Sequence, residues 1–258
     1  MRICVLGSGS SGNCTYVAAG DTRVLVDAGL GYRDTCTRLA ELGTTLDSVS
    51  GVLFTHHHGD HCKSAGPIWR RHATPLYANE LTSDSIDSTD RNTVFKWNIF
   101  ETGSLVTVGQ LQVETFSVTH DANDTVGFVI TSGGVRLGVA TDLGMATPMV
   151  VSKLSDCDAL ILETNHDPEM LLQSRRPKGK ITRIIGPSGH LSNEDAAKLL
   201  FRVLCPRLRT VFLAHRSSDC NTPFLAESAL GTILIKAGRE DIRLLHTYPE
   251  ALSEMIEI

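Results

Sequence analysis

The stretch 55–61, Thr-His-His-His-Gly-Asp-His, constrains this chain more than any other part of its sequence. It places four histidines and one aspartate within six consecutive positions, directly after the apolar run 51–54. Clustered imidazoles pack poorly in a core and repel one another when protonated. Neutral imidazole is the commonest metal ligand, and a carboxylate complements it. The stretch therefore predicts a metal site that follows a strand.

The spacing within this stretch is compatible with two metal positions. Side chains alternate along an extended segment, so His56 and His58 share one side while His57 points away. Gly59 permits a sharp turn, after which Asp60 and His61 are free to face a second metal.

Residues suited to ligate or orient a metal recur at the ends of other β-rich runs. Asp27 follows the run 23–26, His120 follows the run 113–119, Asp142 follows the run 135–141, and His215 follows the run 211–214. A sixth run, 159–162, is followed by Glu163, Asn165 and His166. A sheet that carries polar residues at its strand ends is a rigid scaffold for a site beneath loops.

Helical patterns separate these runs. Residues 34–42, 194–203 and 224–236 are predicted helices, with Ser192 or Asn193 capping the second, and 68–71 are predicted to continue a helix that begins near His61. The stretch 83–92, rich in Ser, Thr and Asp, is predicted to be a mobile surface loop. No linker composition divides the chain, so we expect one layered α/β domain over residues 1–258.

Composition places the chain among ordinary globular proteins, with 41% hydrophobic and 21% charged residues. It contains no apolar segment long enough to span a membrane, and the first apolar run, 3–6, is better interpreted as a strand than as a signal sequence. Seven scattered cysteines without a C-x-x-C pair predict a reduced, cytoplasmic protein.

The charge pattern bears on the substrate. The net charge of −5 does not indicate a nucleic-acid-binding protein. A basic strip, residues 175–183, nevertheless holds five cations and no acid: Arg175, Arg176, Lys178, Lys180 and Arg183. This strip is either a solvated loop or a surface that contacts phosphates.

The loop 7–13 is rich in Gly and Ser. It lacks the Gly-Lys-Ser/Thr ending of a P-loop, which argues against nucleotide binding. Its small residues suit close approach of the backbone to another element or a ligand.

Taken together, these motifs resemble those of the metallo-β-lactamase superfamily. The stretch 55–61 is similar to its Thr-His-x-His-x-Asp-His signature. Asp27 before this stretch, and His120, Asp142 and His215 after it, stand in the family's order. Residues 7–13, 119–122, 163–167 and 189–193 resemble the WalJ/YycJ-type subfamily. The resemblance implies a four-layer αββα sandwich and a two-metal phosphodiesterase or nuclease, acting on DNA in the manner of a 5′ exonuclease.

The resemblance also implies roles for individual residues. A first metal would take His56, His58 and His120, a second would take Asp60, His61 and His215, and Asp142 would bridge them. Zinc or manganese suits this set, and iron is also compatible. Asp27 and His166 would support the ligands. Asp60 and Asp142 would serve catalysis, with a metal-bridging hydroxide as nucleophile. The residues themselves, rather than the resemblance, suggest two further roles. His190 lies in a Gly-rich turn before a predicted helix, and because helix N-termini favour anions we expect it to contact the scissile phosphate or protonate the leaving oxygen. From the charge pattern, the expected phosphate contacts are Arg175, Arg176, Lys178 and Arg216.

Other functions on the same fold remain open at this stage. The main alternative is hydrolysis of a small-molecule ester, thioester or lactone. Asp142 argues against a true β-lactamase but does not exclude thioesterases of the glyoxalase type. A flavo-di-iron oxidoreductase would need a flavin-binding module for which this chain has no room, and a metal-stabilised binding protein leaves the open metal edge unexplained. The basic strip and Arg216 favour a phosphate substrate.

Overall fold

Fourteen strands alternate with nine α-helices in this computed structural model, which describes residues 1–258. The strands are β1 (Arg2–Gly7), β2 (Cys14–Ala19), β3 (Thr22–Val26), β4 (Gly51–Leu53), β5 (Leu76–Ala78), β6 (Trp97–Ile99), β7 (Leu105–Val108), β8 (Leu111–Ser117), β9 (Val126–Ser132), β10 (Val135–Ala140), β11 (Ala159–Glu163), β12 (Thr210–Ala214), β13 (Arg243–His246) and β14 (Ile256–Glu257).

The helices are α1 (Tyr32–Glu41), α2 (Gly59–Cys62), α3 (Ala65–His72), α4 (Glu80–Thr89), α5 (Pro148–Leu154), α6 (Pro168–Gln173), α7 (Lys178–Ile185), α8 (Asn193–Val203) and α9 (Pro223–Lys236), and a 3-10 turn covers Leu46–Ser48. None of them combines the length and apolar character needed to cross a membrane.

The strands form two seven-stranded sheets of similar construction. The first has the order β14-β1-β2-β3-β4-β5-β6 and the second β13-β12-β11-β10-β9-β8-β7. The pairings from β14 to β3 and from β7 to β10 are antiparallel, whereas those from β3 to β6 and from β10 to β13 are parallel. Parallel strands place their carboxyl ends at one edge of a sheet. The residues that follow β3, β4, β10, β11 and β12 therefore meet at that edge.

Most strands are buried on both faces, and their alternating side chains contribute to three large apolar layers. Side chains from both sheets, such as Val24 and Phe128, fill the core between them. Helices α1, α3 and α4 cover the outer face of the first sheet, with Ile68 fully buried, and α5, α8 and α9 cover the second, with Leu200 fully buried. The order of layers is helix, sheet, sheet, helix, and the predicted four-layer α/β sandwich is confirmed.

Two local predictions are wrong. The stretch 83–92 lies mostly in α4, because the Asn79 side chain accepts a hydrogen bond from the Thr82 amide at 2.9 Å and Ile86 is buried at 3% exposure. The helix near His61 does not continue to residue 71. It stops before Ser64, whose amide donates to the Ala28 carbonyl at 2.8 Å, and α3 begins afresh at Ala65.

Candidate metal centre

The shared sheet edge gathers the predicted ligands. His56 lies beyond β4, Asp142 beyond β10 and His215 directly after β12, while α2 carries Asp60 and His61. Three residues at this edge adopt the left-handed backbone region: Asp27 (φ 63°), Asp142 (φ 54°) and His215 (φ 51°). Few residues other than glycine adopt this conformation, and such backbone strain concentrates at functional sites.

The first ligand group consists of His56, His58 and His120. The Nε2 atom of His56 lies 3.1 Å from Nδ1 of His58, and Nε2 of His120 lies 3.3 Å from that same atom. Burial, together with neighbouring histidines, lowers the pKa of His56 well below its ordinary value, and burial also lowers the pKa of His58 and of His120. All three rings are therefore neutral near pH 7, which is the form that ligates a metal.

The second group consists of Asp60, His61 and His215, and Asp142 stands between the two groups. Oδ2 of Asp60 lies 3.6 Å from Nε2 of His215 and 3.8 Å from Nε2 of His61. The Asp142 carboxylate places Oδ2 3.0 Å from Nε2 of His61 and Oδ1 3.7 Å from Nε2 of His120. One carboxylate thus faces both groups, in the arrangement expected of a bridging ligand.

Hydrogen bonds behind four of the histidines orient their rings. The acceptors are Asp27 Oδ2 for His61 Nδ1 (2.7 Å), Glu163 Oε1 for His215 Nδ1 (2.8 Å), the Gly189 carbonyl for His120 Nδ1 (3.1 Å) and Thr55 Oγ1 for His56 Nδ1 (2.9 Å). We assign a proton to each Nδ1 on this basis. In the presence of a cation, each Nε2 would then present its lone pair to the centre, as metal-ligating histidines do.

The donor set fits divalent cations. Oδ2 of Asp142 and Nε2 of His215 are buried and have no hydrogen-bond partner. An unsatisfied buried polar atom costs about 1–3 kcal/mol, and a cation between the ligand groups would satisfy both atoms. One donor atom from each member of a group lies within 4.8 Å of the others.

Close backbone approach supports the loop that carries the second group. A Cβ on Gly29 would lie 1.6 Å from the Asp60 carbonyl, so only glycine fits there. The same carbonyl accepts a hydrogen bond from the Asn13 amide at 2.8 Å, and Asn13 Nδ2 lies 3.0 Å from His61 Nε2. The small residues of loop 7–13 therefore let it pack against the ligand loop.

Glu163, one of the polar residues at strand ends, also belongs to this site, although the resemblance gave it no specific role. Its carboxylate is fully buried. Oε1 accepts from Nδ1 of His190 and from Nδ1 of His215, both at 2.8 Å, and Oε2 accepts from the amides of Leu143 (3.0 Å) and Leu191 (3.2 Å). Burial raises its pKa, but the His190 charge and these hydrogen bonds prevail and lower the pKa to about 2. The only sequence signal was its place at a strand end.

Glu163 in turn determines the state of His190. Burial lowers the pKa of His190, but the charge of Glu163 and its hydrogen bond outweigh burial and raise the pKa above the ordinary value. The ring lies beside the centre, with Nδ1 3.5 Å from Oδ1 of Asp142. The contact with Glu163 thus favours the protonated form of His190 next to the ligand groups.

A cavity of about 220 Å³ is lined by several of the ligands and by three cations, which together we call the cationic wall. Arg176, Lys180 and Arg183 face it, the last two on α7. Arg176 Nη2 donates to Asp219 at 3.1 Å, and Arg183 pairs with Asp121. Lys180 forms no ion pair and is free to meet an anionic ligand.

Several other predicted residues lie elsewhere. Arg175 and Lys178 belong to the basic strip but do not line the cavity. Arg216 turns away from it: Nη2 donates to the Thr247 carbonyl at 3.2 Å, and the guanidinium lies 5.7 Å from the ring centre of Tyr248. His166 is buried at 3% exposure and bonds to none of the predicted ligands. Of the four expected phosphate contacts, only Arg176 lies at the cavity.

Comparisons with known proteins agree with this geometry. The family model for the β-lactamase superfamily domain matches residues 22–215. The chain is 35% identical over 240 residues to exodeoxyribonuclease YycJ of Bacillus anthracis, covering 92% of this chain and 90% of that protein. It is 30% identical over 263 residues to exodeoxyribonuclease WalJ of Streptococcus pneumoniae, covering 100% and 98%.

Solved structures show the same fold. The metallo-β-lactamase fold protein YhfI of Bacillus subtilis superposes with a TM-score of 0.73 at 15% identity over 99% of each chain. Zinc-bound PqqB of Methylobacterium extorquens gives a TM-score of 0.68 at 18% identity over 100% of each chain. The ligand motif, the sandwich fold and these relatives together establish that the chain belongs to the metallo-β-lactamase superfamily and, within it, to the YycJ/WalJ-type proteins.

Proposed function

We propose that this chain is a metal-dependent phosphodiesterase that degrades DNA as an exonuclease, shortening a strand from its 5′ end. The observation that carries the proposal is the cavity itself, which is lined both by residues of the two ligand groups and by Arg176, Lys180 and Arg183. Hydrolysis of a phosphodiester, which is an anion, is served both by metal ligands and by cations that bind the phosphate. The names of the YycJ and WalJ relatives, both exodeoxyribonucleases, support DNA as the substrate.

Two divalent ions are proposed to occupy the ligand groups. His56, His58 and His120 would hold one, Asp60, His61 and His215 the other, with Asp142 shared. When bound, such ions supply a water of lowered pKa as nucleophile and neutralise charge that develops on the phosphate. Imidazole with carboxylate suits zinc or manganese, and iron is compatible.

The cationic wall is proposed to bind and orient the phosphate. Arg176 is held in place by Asp219, so its guanidinium loses little freedom when it meets an oxygen anion. Lys180 adds an unpaired charge that attracts the strand. Since the ligand groups line the same cavity, a phosphate bound by these cations would lie close to them.

His190 is proposed to donate the proton that the leaving oxygen needs. In the hydrolysis, a water oxygen bonds to phosphorus and the P–O3′ bond breaks. The O3′ atom then takes a proton from His190, whose raised pKa favours the protonated ring. Glu163 holds the ring through the 2.8 Å bond to Nδ1 and stabilises its charge. Asp27 holds His61 in the same way.

The test is cleavage of end-labelled single- and double-stranded DNA by protein supplied with manganese or zinc. His58→Ala, prepared in parallel, controls for contaminating nucleases. We expect cleavage by the wild type alone, and substrates labelled at one or the other end report the direction. A folded, metal-loaded protein that cleaves neither DNA would contradict the proposal and would direct the same preparation to ester, thioester and lactone substrates.

A further inference from the structure

A second cavity lies next to the metal cavity. It also measures about 220 Å³, and His190 belongs to the walls of both. Its other walls come from α6, the end of α7 and the first turn of α8, and include Leu172, Ile185 and Asp195. A group bound there would therefore sit on the His190 side of a phosphate in the metal cavity.

The charge of this second cavity differs from that of the first. Glu194 and Asp195 line it, and its one cation, Lys198, is already paired with Asp195 at 2.8 Å. Carboxylates repel a phosphate, so the second cavity does not extend the anion-binding surface made by α7. Its electrostatics favour an uncharged group that can donate hydrogen bonds to carboxylates.

Two of the remaining lining residues are apolar. Leu172 is 65% exposed and Ile185 is 54% exposed, so both present apolar surface that the fold leaves uncovered. His166 also lines the cavity; it is buried at 3% exposure, and its Nδ1 has no hydrogen-bond partner. Burial lowers the pKa of His166, so the ring is neutral. The two aliphatic side chains offer apolar surface to the face of a planar ring, and His166 adds an unpartnered polar atom at the cavity.

The size of the cavity limits the occupant. Pockets for drug-sized ligands measure about 300–1,000 Å³, so 220 Å³ accepts one base with part of its sugar but no longer segment. Nucleobases combine apolar faces with hydrogen-bonding edges, which matches the walls described above.

We propose that the second cavity binds the base of the 5′-terminal nucleotide, the nucleotide whose O3′ leaves. This inference rests on the proposed exonuclease function and adds a subsite to it. The His190 ring separates the two cavities, so it stands at the junction of base-bearing sugar and scissile phosphate. A subsite for a single base also favours cleavage at a strand end, because an internal nucleotide would have to leave its stack to enter.

The test compares oligodeoxynucleotides that carry either a normal or an abasic 5′-terminal nucleotide, with an abasic residue at an interior position as control. For the wild type we expect the terminal abasic change to lower kcat/KM about tenfold, which corresponds to ~1.4 kcal/mol and is typical of base stacking on a side chain. Leu172→Ala should lower kcat/KM for the normal substrate towards the abasic value and leave the abasic substrate unchanged. The matched control is Ile235→Ala on α9, a residue 63% exposed and outside both cavities.

A binding measurement supplements the kinetics. An oligonucleotide with 5′-terminal 2-aminopurine should change its fluorescence on binding metal-free protein, and Leu172→Ala should weaken that binding severalfold. Cleavage by the wild type without discrimination between normal and abasic ends would overturn the subsite and leave the proposed nuclease intact. Absence of any cleavage by metal-loaded protein would remove both.

Discussion

Replacing Glu163 with glutamine is the most informative perturbation of this site. The substitution keeps the size of the side chain and removes its charge. At present the carboxylate accepts four hydrogen bonds, two from imidazoles and two from backbone amides. The oxygen of a glutamine side chain can accept the hydrogen bonds of one pair of donors, either the two imidazoles or the two amides. Its NH2 group then faces the other pair, and because both sides are donors no hydrogen bond forms there.

The magnitude follows from these bonds. Two of the four are lost in either orientation of the amide, and hydrogen bonds to charged groups contribute about 1.5–3 kcal/mol each. The free energy of unfolding should therefore fall by ~3–6 kcal/mol. For a chain of this size, each kcal/mol corresponds to about 2–4 °C, so Tm should fall by ~6 °C or more.

Catalysis should change in a way that a purely structural role would not produce. The raised pKa of His190 keeps the ring protonated below that pKa, and the protonated form is lost as pH rises through it. Without the Glu163 charge the pKa of His190 falls, so the alkaline limb of the kcat profile should move to lower pH. At neutral pH we expect a loss of kcat of ~10²-fold, the usual size of a general-acid contribution.

The assays are urea denaturation and the pH dependence of kcat on DNA. Glu227→Gln is the matched control, because Glu227 also accepts from a histidine, His246, at 3.0 Å but is 54% exposed. An exposed pair of this kind contributes about 0–1 kcal/mol. An unchanged stability in Glu163→Gln would refute the hydrogen-bond argument. A lower stability with an unchanged pH profile would refute the role assigned to Glu163 in holding the His190 proton.

Three further predictions concern the metal ligands and the cationic wall. Asp142→Ala should abolish turnover and lower the bound metal content while circular dichroism stays unchanged; full activity would disprove the shared-ligand assignment. Asp27→Asn should weaken metal binding by about 10–100-fold, measured by competition with a chelator, because it no longer orients His61 as a charged acceptor; wild-type affinity would contradict this. Alanine at Arg176 and at Lys180 should each lower the slope of log affinity for DNA against log salt by about 1, whereas Lys236→Ala, at an exposed position of α9 outside both cavities, should leave the slope unchanged.

Local sequence patterns were sufficient to predict the fold class and the family of this protein. The stretch 55–61 and the polar residues that end the β-rich runs predicted both the α/β sandwich and the family, and both predictions are confirmed. This works because ligand chemistry depends on residue type, and because alternation and strand ends place side chains over a few residues. The helix α4, which takes in residues 83–89, escaped prediction because burial of Ile86 and the cap at Asn79 overcame a composition typical of loops.

Only the tertiary structure decided which side chains meet. Glu163 contacts Leu143, His190 and His215, which are 20, 27 and 52 residues away along the chain, and no local pattern reports such pairs. Arg216 is next to a predicted ligand in sequence, yet its guanidinium stacks near Tyr248, while Lys180 and Arg183 face the cavity because α7 folds over it. Sequence determined the chemistry available at the sheet edge. Packing across distant segments determined the proton positions and the direction of each charge, because hydrogen bonds and electrostatic interactions act through space.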